Sequence, residues 1–89
     1  MKSILVVDDE QSIRESLEGI LQDEGFRSVI AENGERALLL IKEENIDLVM
    51  LDIWMPGIDG IDTLKEIKKT YPTTPVIMII TAISSRNAH

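Results

Sequence analysis

The run Leu48-Val49-Met50-Leu51 is apolar without interruption and stops on Asp52. Apolar strands that show no polar alternation belong to sheets covered on both faces, as parallel sheets are. Pro56-Gly57 and Asp59-Gly60 then signal a turn. Beyond it, Ile61, Leu64, Ile67 and Tyr71 share one face of a helix expected over 61–70, with Asp59 and Asp62 at its positive end. Tyr71-Pro72 closes that helix. Ligands of open α/β sheets bind outside the carboxyl ends of the strands, so an acid that ends a central strand is a candidate for chemistry.

The rest of the chain fits around this strand. Ile4-Leu5-Val6-Val7 is a second continuous apolar run and stops on Asp8-Asp9-Glu10. Over about 11–24 the period turns helical: Ile13, Leu17, Ile20 and Leu21 form the apolar stripe, and Arg14, Glu15, Glu18 and Gln22 the polar face. Gly25 stands where a left-handed residue ends a helix. Residues 26–31 read as a strand of mixed character near a sheet edge. Asn33-Gly34 opens a helix over about 35–44, with Ala37, Leu38, Leu40 and Ile41 inward and Asn45 closing it. Pro75 introduces the last run, Val76-Ile77-Met78-Ile79-Ile80, which ends at Thr81-Ala82. The resulting β-α-β-α-β-α-β order predicts an α/β fold with a doubly wound parallel sheet and right-handed crossovers. Residues 1–82 form one partial domain, and 83–89 are a tail without assigned structure.

Composition narrows the function classes. The 89 residues make one small domain, which buries only ~60–65% of the surface its unfolded chain exposes. A net charge of −7 argues against non-specific binding to nucleic acid or to an anionic membrane surface. The absence of cysteine excludes disulfides, thiolate metal sites and cysteine nucleophiles. The opening apolar run is too short for a signal peptide or a membrane span, so the expected location is cytoplasmic.

In a parallel sheet the carboxyl ends of all strands share one edge. Asp8, Asp9, Asp52 and Thr81 therefore gather there. Carboxylates brought together repel, and a hard divalent cation with oxygen ligands relieves that repulsion; Mg²⁺ suits such a set. A carboxylate beside the ion is also a nucleophile for phosphoryl transfer, giving an aspartyl phosphate. Thr81 is placed to donate a hydrogen bond to the phosphoryl group. The plainer readings give Asp9 as a helix cap, Asp52 as a solvated loop acid, Thr81 as a strand former and Trp54 as loop packing.

Three motifs, Val6-Val7-Asp8-Asp9-Glu10, Leu51-Asp52-Ile53-Trp54-Met55-Pro56-Gly57-Ile58-Asp59-Gly60 and Ile80-Thr81-Ala82, resemble the receiver (CheY-like) domain of two-component response regulators. The wording around Asp52 is most similar to receivers of nitrogen-regulation-type σ54-dependent activators. The resemblance covers residues 2–82. It implies a flavodoxin-like sheet, strand order 2-1-3-4-5, of which this sequence supplies 2-1-3-4. It implies Asp52 as phosphoacceptor, Thr81 as switch hydroxyl, and Mg²⁺ bound by Asp9, Asp52 and the Trp54 carbonyl, with Asp8 acting largely through water. It also implies a sensor kinase phosphohistidine as donor, and contact with DNA only through a separate output domain. Such a domain is a signalling module that phosphorylates itself, not an enzyme.

The family's fifth strand, its phosphoryl-pairing lysine and its aromatic switch residue have no counterpart here; Lys65, Lys68 and Lys69 belong to the helix after the central strand. The chain is thus expected to be truncated before the fifth strand. An apolar fourth strand is then left at an edge, which favours self-association or domain swapping. The alternative function is a phosphorylation-deficient fragment that acts only as a protein-interaction module. A haloacid-dehalogenase-type phosphotransferase needs a second acid where Trp54 stands. A nucleotide-binding flavodoxin-like domain needs a Gly-rich loop where Asp8-Asp9-Glu10 stands.

Overall fold

In the computed structural model, which describes residues 1–53, 55 and 60–79, four strands and three helices alternate. They are β1 (Ser3–Val7), α1 (Gln11–Asp23), β2 (Arg27–Ala31), α2 (Gly34–Glu43), β3 (Leu48–Asp52), α3 (Gly60–Thr70) and β4 (Val76–Ile79). All pairings are parallel and the strand order is β2-β1-β3-β4. This is the flavodoxin-like order expected from the sequence. The tail over 83–89, Ile80 and most of the loop before α3 lie outside the described residues.

Side chains alternate across a strand, and that alternation divides the core. Leu5, Val7, Val49 and Leu51 point to the face covered by α2 and α3, where they meet Ala37, Leu40, Ile41 and Ile67. Ile4 and Val6 point the other way, toward Leu21 of α1, with Leu17, Phe26, Leu48 and Met50 around them. All five residues of β1 are buried, whereas β2, at the edge, exposes Arg27 and Ile30. On the α1 face the cover is partial: a groove of about 440 Å³ lies between Ser12, Ile13, Ser16 and Leu17 on one side and Met50 and Ile79 on the other.

Local chemistry sets the helix ends. The Asn33 side chain accepts a hydrogen bond from the Arg36 amide at 2.7 Å, capping α2. After α1, Gly25 takes φ +87°. Its N–H donates to the Gln22 carbonyl and the Phe26 N–H to the Leu21 carbonyl, the paired bonds of a Schellman turn. Two apolar assignments shift. Ile20 is 58% exposed and Ile61 45% exposed, because each sits at the margin of its stripe, about 100° from an inward neighbour. In α3 the fully buried inward residues are Thr63 and Ile67.

Gly60 begins α3 in close contact with the end of β3. A Cβ at this position would lie 2.3 Å from the Ile53 Cα and 2.5 Å from the Asp52 carbonyl oxygen. Both are backbone atoms of the segment that carries Asp52, so they cannot yield cheaply. Gly60→Ala is therefore expected to destabilise the fold by about 1–3 kcal/mol, despite alanine's better helix propensity. Urea unfolding checks this, and an unchanged midpoint contradicts it.

Candidate functional site

The sheet register builds the site. Val7 pairs with Leu51, so one step further along the strands Asp8 comes opposite Asp52. Both residues continue the parity of Val6 and Met50 and so share a sheet face. Neighbouring strands run ~4.8 Å apart, which brings the two carboxylates into range with no help from a loop. Asp9 follows in the bend between β1 and α1. Asp8, Asp9 and Asp52 each offer a carboxylate oxygen, and these oxygens all lie within 4.8 Å of one another. Asp8 and Asp52 are fully buried; Asp9 is exposed.

Asp8 is held at several points. Its amide donates to the Ala31 carbonyl at 3.1 Å, extending the contact with β2 beyond the strand end. Its Oδ1 accepts from the Glu10 amide at 2.9 Å, a side chain-to-backbone turn that leads the chain into α1. Its carbonyl accepts from Arg14 Nη1 at 2.7 Å. The residue at the N-cap of α1 is Glu10, with no side-chain capping bond.

Among the described residues the set is three carboxylates with no nitrogen or sulfur donor, a hard, anionic oxygen set that fits a small divalent cation and not a soft metal. The structure thus brings together three of the five site residues named from the sequence. Trp54 and Thr81 lie outside the described residues. Two further residues touch the segments that carry these acids. The helical period puts Arg14 on the polar face, yet it turns back to the Asp8 carbonyl; its place in the first turn after a strand end is the available signal. From the sequence Gly60 reads as part of a turn; its position at the start of the helix that follows the acid-ending strand also marks a close approach.

Comparison with known proteins gives a consistent picture. A family model described as the response regulator receiver domain matches residues 4–89. The probable transcriptional regulator ycf27 of Pyropia yezoensis is 51% identical over 59 residues, 66% of this chain. A putative NtrX-like response regulator of Rickettsia conorii is 47% identical over 59 residues, 64% of this chain. The chain spans only 24% of the length of the first and 12% of the second. Among solved structures, the response regulator protein TrrA from Thermotoga maritima, in complex with Mg(2+)-BeF, is 48% identical with a TM-score of 0.88. That match covers 99% of this chain and 76% of the other. The receiver domain of NtrX from Brucella abortus is 48% identical with a TM-score of 0.81, covering 84% and 64%.

The clustered charge has a cost that can be measured. Like charges ~4 Å apart repel by about 1 kcal/mol in bulk water and more where water is excluded. Asp52→Asn keeps the shape and removes one charge. In the absence of divalent cations it is expected to raise stability by about 1 kcal/mol or more, with a smaller gain at high salt. Thermal unfolding in chelator-treated buffer checks the sign, and a lowered Tm refutes it.

Proposed function

The chain belongs to the response regulator receiver family, and on that premise we propose that it is a phospho-accepting switch in which Asp52 takes a phosphoryl group from a sensor kinase phosphohistidine. The observation that carries the reading is the meeting of buried Asp52 with Asp8 and Asp9 at one edge of the sheet, oxygens within 4.8 Å. In the transfer, an Asp52 carboxylate oxygen attacks phosphorus. The P–N bond of the donor breaks, its electron pair returns to the imidazole, and an acyl phosphate remains on Asp52.

Asp9 and Asp52 are the proposed direct carboxylate ligands of Mg²⁺, with Asp8 acting largely through water. Oxygens bound to one Mg²⁺ sit ~2.1 Å from it and span up to ~4.2 Å across it, so the Asp9 and Asp52 oxygens, within 4.8 Å of each other, need only side-chain adjustment to share the ion. Bound there, the ion would offset charge on the phosphoryl group. The support from relatives is the TrrA structure in complex with Mg(2+)-BeF. The Trp54 carbonyl as a further ligand and the Thr81 hydroxyl as the switch group belong to the same reading and rest on the family resemblance.

On this reading the chain is a signalling domain and not an enzyme that turns over a separate substrate. It works in the cytoplasm, and it reaches DNA only through an output domain, in keeping with relatives described as transcriptional regulators. No helix among the described residues is long and apolar enough to cross a membrane.

The test is treatment with acetyl phosphate and Mg²⁺ followed by mass spectrometry. One hydroxylamine-labile phosphoryl group on Asp52 is expected, lost in Asp52→Asn and in the presence of chelator. A folded, unlabelled chain would favour the interaction-only fragment. Pairing of two copies through β4 is a further part of the proposal, because Ile77 of that strand is 50% exposed and β4 ends the described sheet. Sedimentation of the 89-residue protein is expected to show dimers or larger species at micromolar concentration. A monomer throughout that range would remove this element of the reading.

A further inference from the structure

We propose that Asn33 is a site of spontaneous deamidation, gated by α2. When the first turn of that helix opens, the Gly34 nitrogen closes on the Asn33 side chain, and hydrolysis leaves aspartate or isoaspartate at position 33.

The reaction has two requirements, and the sequence meets the first. The nitrogen of the following residue attacks the side-chain amide carbon, so a side chain on that residue stands in the way. Glycine has none, and its backbone turns most freely. Of the three asparagines, Asn33 precedes Gly34, whereas Asn45 precedes Ile46 and Asn87 precedes Ala88. Ile46 is β-branched and stiff, which makes Asn45 a slow internal standard.

The second requirement is geometric. The intermediate is a five-membered imide, and its ring closes only when the Gly34 nitrogen eclipses the Asn33 Cβ about the Cα–C bond. Asn33 has φ −158° and ψ 174°, which keeps the two apart. The Asn33 Oδ1 accepts from the Arg36 amide at 2.7 Å, and the Asn33 carbonyl accepts from the Ala37 amide at 3.0 Å. Gly34 is buried. The closed turn therefore blocks the ring. Opening it is a local event, because helix ends fray far below the free energy of global unfolding. As the first helical residue, Gly34 has its N–H outside the helical ladder, so the attacking group leaves no helical bond behind.

In the step itself, the Gly34 nitrogen gives its proton to hydroxide and bonds to the Asn33 Cγ. The Cγ–Nδ2 bond breaks, and Nδ2 takes a proton from water and leaves as ammonia. Water then opens the imide: cleavage at Cγ gives aspartate, and cleavage at the main-chain carbonyl gives isoaspartate. Aspartate keeps the capping oxygen and puts its charge at the positive end of α2, where it is favoured. Isoaspartate lengthens the main chain by a methylene and loses the cap. Either product adds an acid two residues beyond Ala31, whose carbonyl accepts from the Asp8 amide. The new charge thus enters the edge of the sheet that carries Asp8, Asp9 and Asp52.

The test is storage of the 89-residue protein in mildly alkaline buffer, folded and in urea, with mass spectrometry of the tryptic peptide over 28–36. In the folded chain this peptide is expected to gain the mass of an amide-to-acid exchange, part of it as isoaspartate labelled by an isoaspartyl methyltransferase, while Asn45 stays intact. Asn33→Ser keeps a capping oxygen and should abolish the gain; a gain that persists overturns the assignment. Folding should slow the reaction by about 10- to 100-fold relative to urea, as a fraying helix end allows. Slowing by ~10³-fold or more, as cooperative unfolding would impose, or no conversion at all, overturns the proposal. Glu35→Lys reverses the charge in the first turn of α2 and should raise the ratio of folded to unfolded rates by about 2- to 5-fold. An unchanged ratio overturns the gating by that turn.

Discussion

The structure turns on a conflict between the β ladder and electrostatics. The parallel pairing of β1 with β3 is held by backbone bonds and by a core in which Leu5, Val7, Val49 and Leu51 have no exposed surface. The same register sets Asp8 opposite Asp52. Neither carboxylate escapes by moving its backbone, because that means slipping a strand, and a slip of one residue turns the whole buried set to the wrong face. The apolar core therefore holds two buried acids in place against their repulsion.

Around this fixed pair, the finer geometry comes from backbone devices. On the β1 side, Asp8 is bonded through its amide, its carbonyl and its carboxylate. On the β3 side, the absence of a side chain at Gly60 lets α3 start against the Asp52 peptide. Each arrangement joins a strand end to the helix that follows it. The site is thus assembled at the two places where the chain changes from extended to helical, and the rigid elements behind them keep it from spreading.

Much of this was legible in the sequence, and for definite reasons. Unbroken apolar runs in Ile4–Val7 and Leu48–Leu51 specified strands covered on both faces. Asn33 and Gly25 marked helix ends by chemistry that few residues share. The convergence of Asp8, Asp9 and Asp52 followed from topology alone, because parallel strands present their carboxyl ends together. What could not be read was whatever depends on a neighbour's position. Periodicity locates a stripe but not its margin, so Ile20 and Ile61 read as inward although both are exposed. Thr63, polar and fully buried, gave no apolar signal. Arg14 looked like any charged residue on an outer face, since a bond to a carbonyl six residues back depends on the angle at which α1 leaves the sheet.

Charge also orders the events on the proposed reading. The protein carries a formal charge of −7, and three of its acids bring carboxylate oxygens to within 4.8 Å of one another. A phosphoryl donor is itself anionic, so its approach adds like charge to a cluster already in conflict. With oxygens only within 4.8 Å of one another, the repulsion is several times what the same pairs would feel if spread over the surface, and screening by salt acts weakly on the buried members. On that reading a cation would have to bind first, so that an acyl phosphate on Asp52 would form in a site whose charge had already been reduced. The same clustering of acids that would weaken the fold without a cation would then be what holds Asp52 ready beside one.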